Sequence, residues 1–162
     1  MEKKKLLVLD IDGTLIYSVP GYKQLEDYDF DILDNEFKIK MRPNLLKFLE
    51  KCYELFDIAI WTAATKNYAE AIVENIFIKK PEFVFHKDHC TFISQGCYSD
   101  DKITIKDLKK IKSHNIKDII ILDDNEETFG LNKENGIYIK EFLGELNDNE
   151  LLKIIEKLEN LK

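Results

Sequence analysis

The run Leu6-Leu7-Val8-Leu9 gives way at once to Asp10-Ile11-Asp12-Gly13-Thr14, and this junction constrains the fold more than any other feature of the chain. Consecutive apolar residues read as a strand buried on both faces, the mark of a parallel sheet. Such a sheet builds its ligand crevice beyond the carboxyl ends of its strands, so two carboxylates one residue apart emerge where chemistry is done. One can attack an electrophile while the other moves protons. Gly13 lets the chain turn sharply, and backbone N–H groups of such a turn can cradle phosphate oxygens. Carboxylates at strand ends also serve as plain helix caps or solvated turns, so the pentapeptide needs partners.

Two further apolar runs supply them. Phe56-Asp57-Ile58-Ala59-Ile60-Trp61 leads to Thr62, and Ile119-Ile120-Ile121-Leu122 leads to Asp123-Asp124. Between them, Lys106 heads a pattern that predicts a helix from Lys106 to Lys112. Read singly, Thr62 is also a good helix cap, Lys106 an ordinary helix-face lysine, and Asp123-Asp124 a solvated acidic turn. Read together, they converge at one end of one sheet.

In that order the residues resemble the haloacid dehalogenase superfamily of phosphohydrolases, whose motifs are D-x-D-x-T, a strand-end Thr or Ser, a Lys and a strand-end acidic pair. Arg42-Pro43-Asn44-Leu45-Leu46-Lys47-Phe48-Leu49, Trp61-Thr62-Ala63-Ala64 with Tyr68-Ala69, Lys106-Asp107-Leu108 and Ile121-Leu122-Asp123-Asp124-Asn125 narrow the likeness to the FCP/SCP-like phosphatases. Those are known for dephosphorylating the carboxy-terminal repeat of RNA polymerase II. The resemblance runs from Leu6 to about Leu158. It implies an α/β fold: a HAD-like Rossmannoid parallel sheet with helices on both faces, a small β-hairpin insertion and no large cap domain.

The resemblance also implies a mechanism. Asp10 would be the nucleophile, forming an aspartyl phosphate, and Asp12 the general acid and base. Thr62 and Lys106 would donate to the transferring phosphoryl group. The Asp10 carboxylate, the Asp12 backbone carbonyl and the Asp124 carboxylate would hold Mg²⁺, with Asp123 orienting Lys106 or a metal-bound water. Gly13, Thr14 and Ala63 complete the substrate loops, Thr14 mainly by holding its loop in shape. The implied substrate is a phosphorylated protein or peptide, cleaved at serine or threonine. A small-molecule or nucleotide phosphatase and a non-catalytic protein-docking relative are the competing readings. The chain departs from the family in two places: its acidic pair is Asp-Asp where small members have Asp-Asn, and His86, Lys87 and His89 stand where relatives often place an arginine. Arg42 is the only arginine present.

The 162 residues, 44% hydrophobic, suit one domain spanning the whole chain. A net charge of −7 argues against an indiscriminate binder of nucleic-acid backbones. No stretch approaches the roughly 18 apolar residues of a membrane span, and Met1-Glu2-Lys3-Lys4-Lys5 precedes too short an apolar run for an export signal. Cys52, Cys90 and Cys97 are odd in number and lack a C-x-x-C pair, which suits reduced thiols in the cytoplasm or nucleus. His86, His89, Cys90 and Cys97 lack a strong zinc spacing.

Residues 17–40 read as an inserted hairpin, with strands Tyr28–Ile32 and Glu36–Lys40 about an Asp34-Asn35 turn. Its Tyr28, Phe30, Phe37 and Ile39 are candidates for contact with residues flanking a phosphorylated side chain, against the alternative that they pack on their own domain. Pro43 suits the first position of a helix bearing Leu45, Leu46, Phe48, Leu49, Cys52 and Tyr53 on one face. A helix from Lys66 to about Asn75, strands at Phe83–Phe85 and Gly136–Ile139, a small hairpin around Cys90–Tyr98 and a last helix from about Asp148 complete the expectation.

Overall fold

The computed structural model describes residues 3–96 and 102–162. The three apolar runs form β1 (Leu6–Leu9), β5 (Asp57–Trp61) and β9 (Ile119–Asp123), joined by the shorter β6 (Val84–Phe85) and β10 (Gly136–Tyr138). All pair in parallel, in the order β10-β9-β1-β5-β6. The chain adds β5 on one side of β1 and later β9 on the other, so the switch point of the sheet lies at the carboxyl end of β1. Leu9 is level with Ile60 and with Leu122. One residue further, Asp10 falls beside Asp123, with Thr62 and Asp124 just beyond.

Side chains alternate across this sheet because strand residues point to opposite faces. Leu7, Leu9, Ile58, Ile60, Ile120 and Leu122 meet α1 (Leu45–Leu55), α2 (Lys66–Ile76) and α3 (Glu150–Glu159) in one core. Leu6, Val8, Ala59, Trp61, Ile119 and Ile121 meet Leu108, Ile111 and Phe129 in a second. Both faces are covered, the first by α-helices and the second by short 3-10 segments at Leu108–Lys110 and Glu126–Asn135. Fully buried strands need no polar alternation, which is why these runs are continuous in the sequence.

The insertion is larger than a hairpin. β2 (Ile16–Pro20), β3 (Phe30–Ile32) and β4 (Phe37–Met41) form an antiparallel sheet in the order β2-β4-β3. Leu33, Asp34 and Asn35 all take positive φ in the β3–β4 turn. β2 escapes a pattern reading because only its first and fourth residues are buried, and Pro20 closes it at an edge where no ladder donor is required.

Four local expectations are corrected. The helix expected over Lys106–Lys112 is absent. The hairpin of β7 (Thr91–Ser94) with β8 (Lys102–Ile105) runs up to Lys106, and only the short Leu108–Lys110 turn follows, too few residues for a helix to propagate. That hairpin therefore extends past the expected Cys90–Tyr98, of which Cys97 and Tyr98 lie outside the described residues. α1 begins at Leu45 behind an Asn44 of φ 66°, so Pro43 precedes the helix. α3 starts at Glu150, whose amide donates to Asp148 Oδ1 at 3.1 Å. Among the described residues, no helix is long and apolar enough to cross a membrane.

Candidate active site

Asp10 leaves β1 with its amide still bonded to Leu122 O at 3.0 Å, so the sheet itself aims the residue. The residue is 7% exposed. Lys106, at the end of β8, places Nζ 2.6 Å from Asp10 Oδ1 and 2.6 Å from Asp123 Oδ2. Thr14 Oγ1 lies 3.1 Å from Asp10 Oδ2 and 3.2 Å from Asp124 Oδ1. One hydroxyl hydrogen thus serves two carboxylates. Asp123 Oδ1 accepts from the amide of Asn125 at 3.0 Å, which fixes the acidic pair with Asp123 toward the lysine and Asp124 toward the loop.

Oxygen atoms of Asp10, Asp123 and Asp124 lie within 4.8 Å of one another. Among the described residues, the buried counter-charge in contact with them is the Lys106 ammonium. Burial pushes the Asp10 carboxyl well above its ordinary value, and the Asp123 charge adds to it. Burial raises Asp124 as well, again with help from Asp123. Burial alone would lower the Lys106 ammonium, but Asp10 and Asp123 outweigh it and hold the ammonium above its usual value. Hard oxygen donors with surplus negative charge suit Mg²⁺, so the donor set fits that ion.

Asp12 sits two residues on, half-buried, and burial raises its carboxyl too. Gly13 between them and Thr14 takes φ 78°, and a Cβ there would fall 2.6 Å from Asp124 Oδ2. Two amides of the loop are engaged within it: Gly13 N donates to Ile16 O at 2.9 Å and Thr14 N to Ile11 O at 3.2 Å. Gly13 and Thr14 thus use their amides to shape the loop. Ala63 is exposed. Thr62 is 2% exposed and accepts from the amide of Ala64 at 3.1 Å, short of the helix, whose N-cap is Thr65.

The structure thus brings Asp10, Asp12, Thr14, Lys106, Asp123 and Asp124 together. The insertion residues divide. Ile39 is fully buried in the main core, and its partner Phe30 packs against the same core, so Ile39 is no peptide contact. Phe37 is half-buried with its ring edge-on to Tyr68, centroids 5.2 Å apart. Tyr28 is 41% exposed, with Lys38 Nζ over its ring.

Two residues of this neighbourhood stand in segments that carry the family resemblance, yet the sequence reading gives them no role in the chemistry. Tyr68 donates its hydroxyl to Asp12 Oδ1 at 2.5 Å. Burial, then the Asp12 charge, raises its phenol, so it stays a donor at any ordinary pH. Arg42 donates to the carbonyls of Gly13 and Thr14. The sequence pattern gives the inward face of this helix as Ala69, Ile72, Val73 and Ile76, whereas the structure buries Tyr68 with Ala69, Ile72 and Ile76. The signals for Arg42 are that it is the sole arginine and that it heads the Arg42–Leu49 segment.

The family model of the NLI interacting factor-like phosphatases matches residues 5–162. Phosphatase PSR1 of Saccharomyces cerevisiae is 32% identical over 98% of this chain, which spans 36% of that protein. An RNA polymerase II C-terminal domain phosphatase of Encephalitozoon cuniculi is 29% identical over 98% of the chain, which spans 38% of it. The solved structure of Fcp1, an essential RNA polymerase II CTD phosphatase, superposes with a TM-score of 0.64 at 21% identity, covering 99% of this chain and 50% of that one. That likeness speaks for the shared fold.

Proposed function

The chain belongs to the NLI interacting factor-like phosphatase family, and from that premise we propose that it is a Mg²⁺-dependent phosphatase that removes phosphate from serine or threonine side chains of a protein through an aspartyl phosphate. The observation that carries this reading is Asp10 gripped by Lys106 at 2.6 Å, with Asp12 two residues on.

In the first displacement, an Asp10 oxygen attacks phosphorus while the bond from phosphorus to the substrate oxygen breaks. The departing oxygen keeps the electron pair and takes a proton from the Asp12 carboxyl. In the second, water attacks phosphorus and gives its proton to the Asp12 carboxylate. The bond from Asp10 to phosphorus then breaks, its electrons return to Asp10, and inorganic phosphate leaves. Lys106 spends two donors on Asp10 and Asp123, leaving its third for a phosphoryl oxygen. Thr62 uses its oxygen as an acceptor, so its hydrogen is free for another. The Asp10 and Asp124 carboxylates and the Asp12 carbonyl are the groups that would hold Mg²⁺. Bound there, the ion would supply positive charge against the clustered carboxylates and the phosphate.

A protein substrate is favoured by the polymerase-directed activity for which the Encephalitozoon relative is named and by the aromatic wall of Phe37 and Tyr68 beside Asp12. The test is a substrate profile of the purified chain over phosphoserine and phosphothreonine peptides, sugar phosphates and nucleotides, with Mg²⁺ and then with a chelator. Phosphopeptides should lead, chelation should stop turnover, and Asp10→Asn should lower kcat by more than about a thousandfold. A lead by nucleotides or sugar phosphates would overturn the substrate class. Turnover indifferent to the chelator would overturn the metal.

A further inference from the structure

Tyr68 lies outside the four motif segments that carry the reacting groups, yet it touches one of those groups. It is the third residue of α2, in the turn that follows the Thr62 loop, and it is 6% exposed. Its hydroxyl reaches Asp12 Oδ1 at 2.5 Å. Its ring is held from the other side by Phe37 of β4, edge-on at 83°. The phenol is thus anchored by a helix on the main sheet and by the inserted sheet at once. Asp12, by contrast, sits on a loop, and the last torsion of an aspartate is broad, so its backbone alone does not choose which oxygen faces the site. Among the described residues no side chain donates to Asp12 Oδ2.

We infer that Tyr68 is a positioning residue for Asp12, binding Oδ1 so that Oδ2 is the oxygen that exchanges the proton in both displacements. This rests on the phosphatase reading above. In the first displacement the proton on Oδ2 passes to the leaving oxygen as its bond to phosphorus breaks. In the second, the attacking water returns a proton to Oδ2 as the bond from phosphorus to Asp10 breaks. Oδ1 keeps the same partner throughout, so the carboxyl has no need to rotate between steps. A buried tyrosine hydroxyl seeks a partner for its own sake, and a purely structural role would affect all substrates alike.

Tyr68→Phe removes one oxygen and keeps the contact with Phe37, so the test compares this variant with the wild-type chain on a phosphoserine peptide and on nitrophenyl phosphate. A poor alkyl leaving group depends on the proton from Asp12, whereas nitrophenolate departs with little help. The variant should lose about tenfold to a hundredfold in kcat on the peptide and much less on nitrophenyl phosphate, with KM for both and the melting temperature kept. Added to Asp12→Asn, Tyr68→Phe should cause no further loss, because both act through one group. Equal losses on the two esters, or losses that multiply in the double variant, would overturn the assignment. A wild-type chain that cleaves neither ester would sink the phosphatase reading. The positioning is then read from the ¹³C carboxyl resonance of Asp12: a shift in Tyr68→Phe sustains it, and an unmoved resonance overturns it.

Discussion

Arg42 meets Asp148 through two parallel hydrogen bonds, Nε to Oδ1 and Nη2 to Oδ2, each 2.8 Å long. Its remaining donors reach Gly13 O at 3.2 Å, Thr14 O at 3.0 Å and Lys140 O at 2.7 Å. The planar fork is used in full, tying the reactive loop to the chain that enters α3. At 1% exposure this guanidinium serves the fold, so the substrate must be met by other groups.

Asp148→Ala should therefore destabilise the protein by about 3–5 kcal/mol in urea melts, because it strands a buried guanidinium. Burial alone would raise the Asp148 carboxyl, but the hydrogen bonds from Arg42 outweigh it and hold the group below its ordinary value. A depressed folded pKa stabilises above the unfolded value of about 3.9 and loses that contribution as pH falls through the lower folded one. The stability gap between wild type and Asp148→Asn should be full above about pH 4 and shrink below it. A gap that stays constant down to about pH 3 would contradict the pairing.

The site carboxylates should show the opposite slope. Asp10, Asp12 and Asp124 are all raised, chiefly by burial. A raised carboxyl stabilises the fold fully below about pH 3.9 and loses this as pH climbs through its folded value, so the metal-free site weakens the protein toward neutrality. Mg²⁺ should restore stability there, by about 2.7 kcal/mol at a hundred times its Kd. Thermal melts in chelator and in Mg²⁺ at several pH values check this. Asp124→Asn should melt higher without metal and respond to Mg²⁺ little or not at all.

Gly13→Ala places a Cβ 2.6 Å from Asp124 Oδ2 at a φ of 78°. The left-handed backbone alone costs about 1–2 kcal/mol, and the displaced carboxylate should remove the Mg²⁺ response. Gly130→Ala, where a Cβ meets nothing within 4 Å, is the control and should keep that response. A Gly13→Ala protein with an unaltered Mg²⁺ melt shift would show that Asp124 takes no part in holding the ion.

Phe37 and Ile39 share one face of β4 but differ in role. Ile39→Ala should lose about 2–5 kcal/mol of stability, as a buried residue cut to Ala does, with equal effects on all substrates. Phe37→Ala should lower kcat/KM for a phosphopeptide more than for nitrophenyl phosphate. Parallel losses on both esters, together with a lowered Tm, would make Phe37 part of the core alone.

What the sequence determined by itself is the set of strand ends. β1 matches its apolar run residue for residue, β5 and β9 follow theirs closely, and α2 ends one residue past Asn75. Burial on both faces imposes a local composition, and local composition can be read without the fold. Asp10, Asp12, Thr62, Asp123 and Asp124 are legible for that reason, each being the first polar residue after such a run or close to it. Tertiary structure alone decided the rest. Lys106 is named as a site residue by the resemblance, but its local pattern reads as a helix, and only the fold sets it just past the end of β8, where it meets Asp10 across 96 positions of chain. Tyr68 and Arg42 carry no local mark of what they touch. Their partners lie 56 and 106 residues away and become neighbours only once the order β10-β9-β1-β5-β6 has set which strand ends meet. Periodicity reports which face of an element is buried, whereas hydrogen bonds between side chains depend on where two elements stand, and that is a property of the assembled sheet.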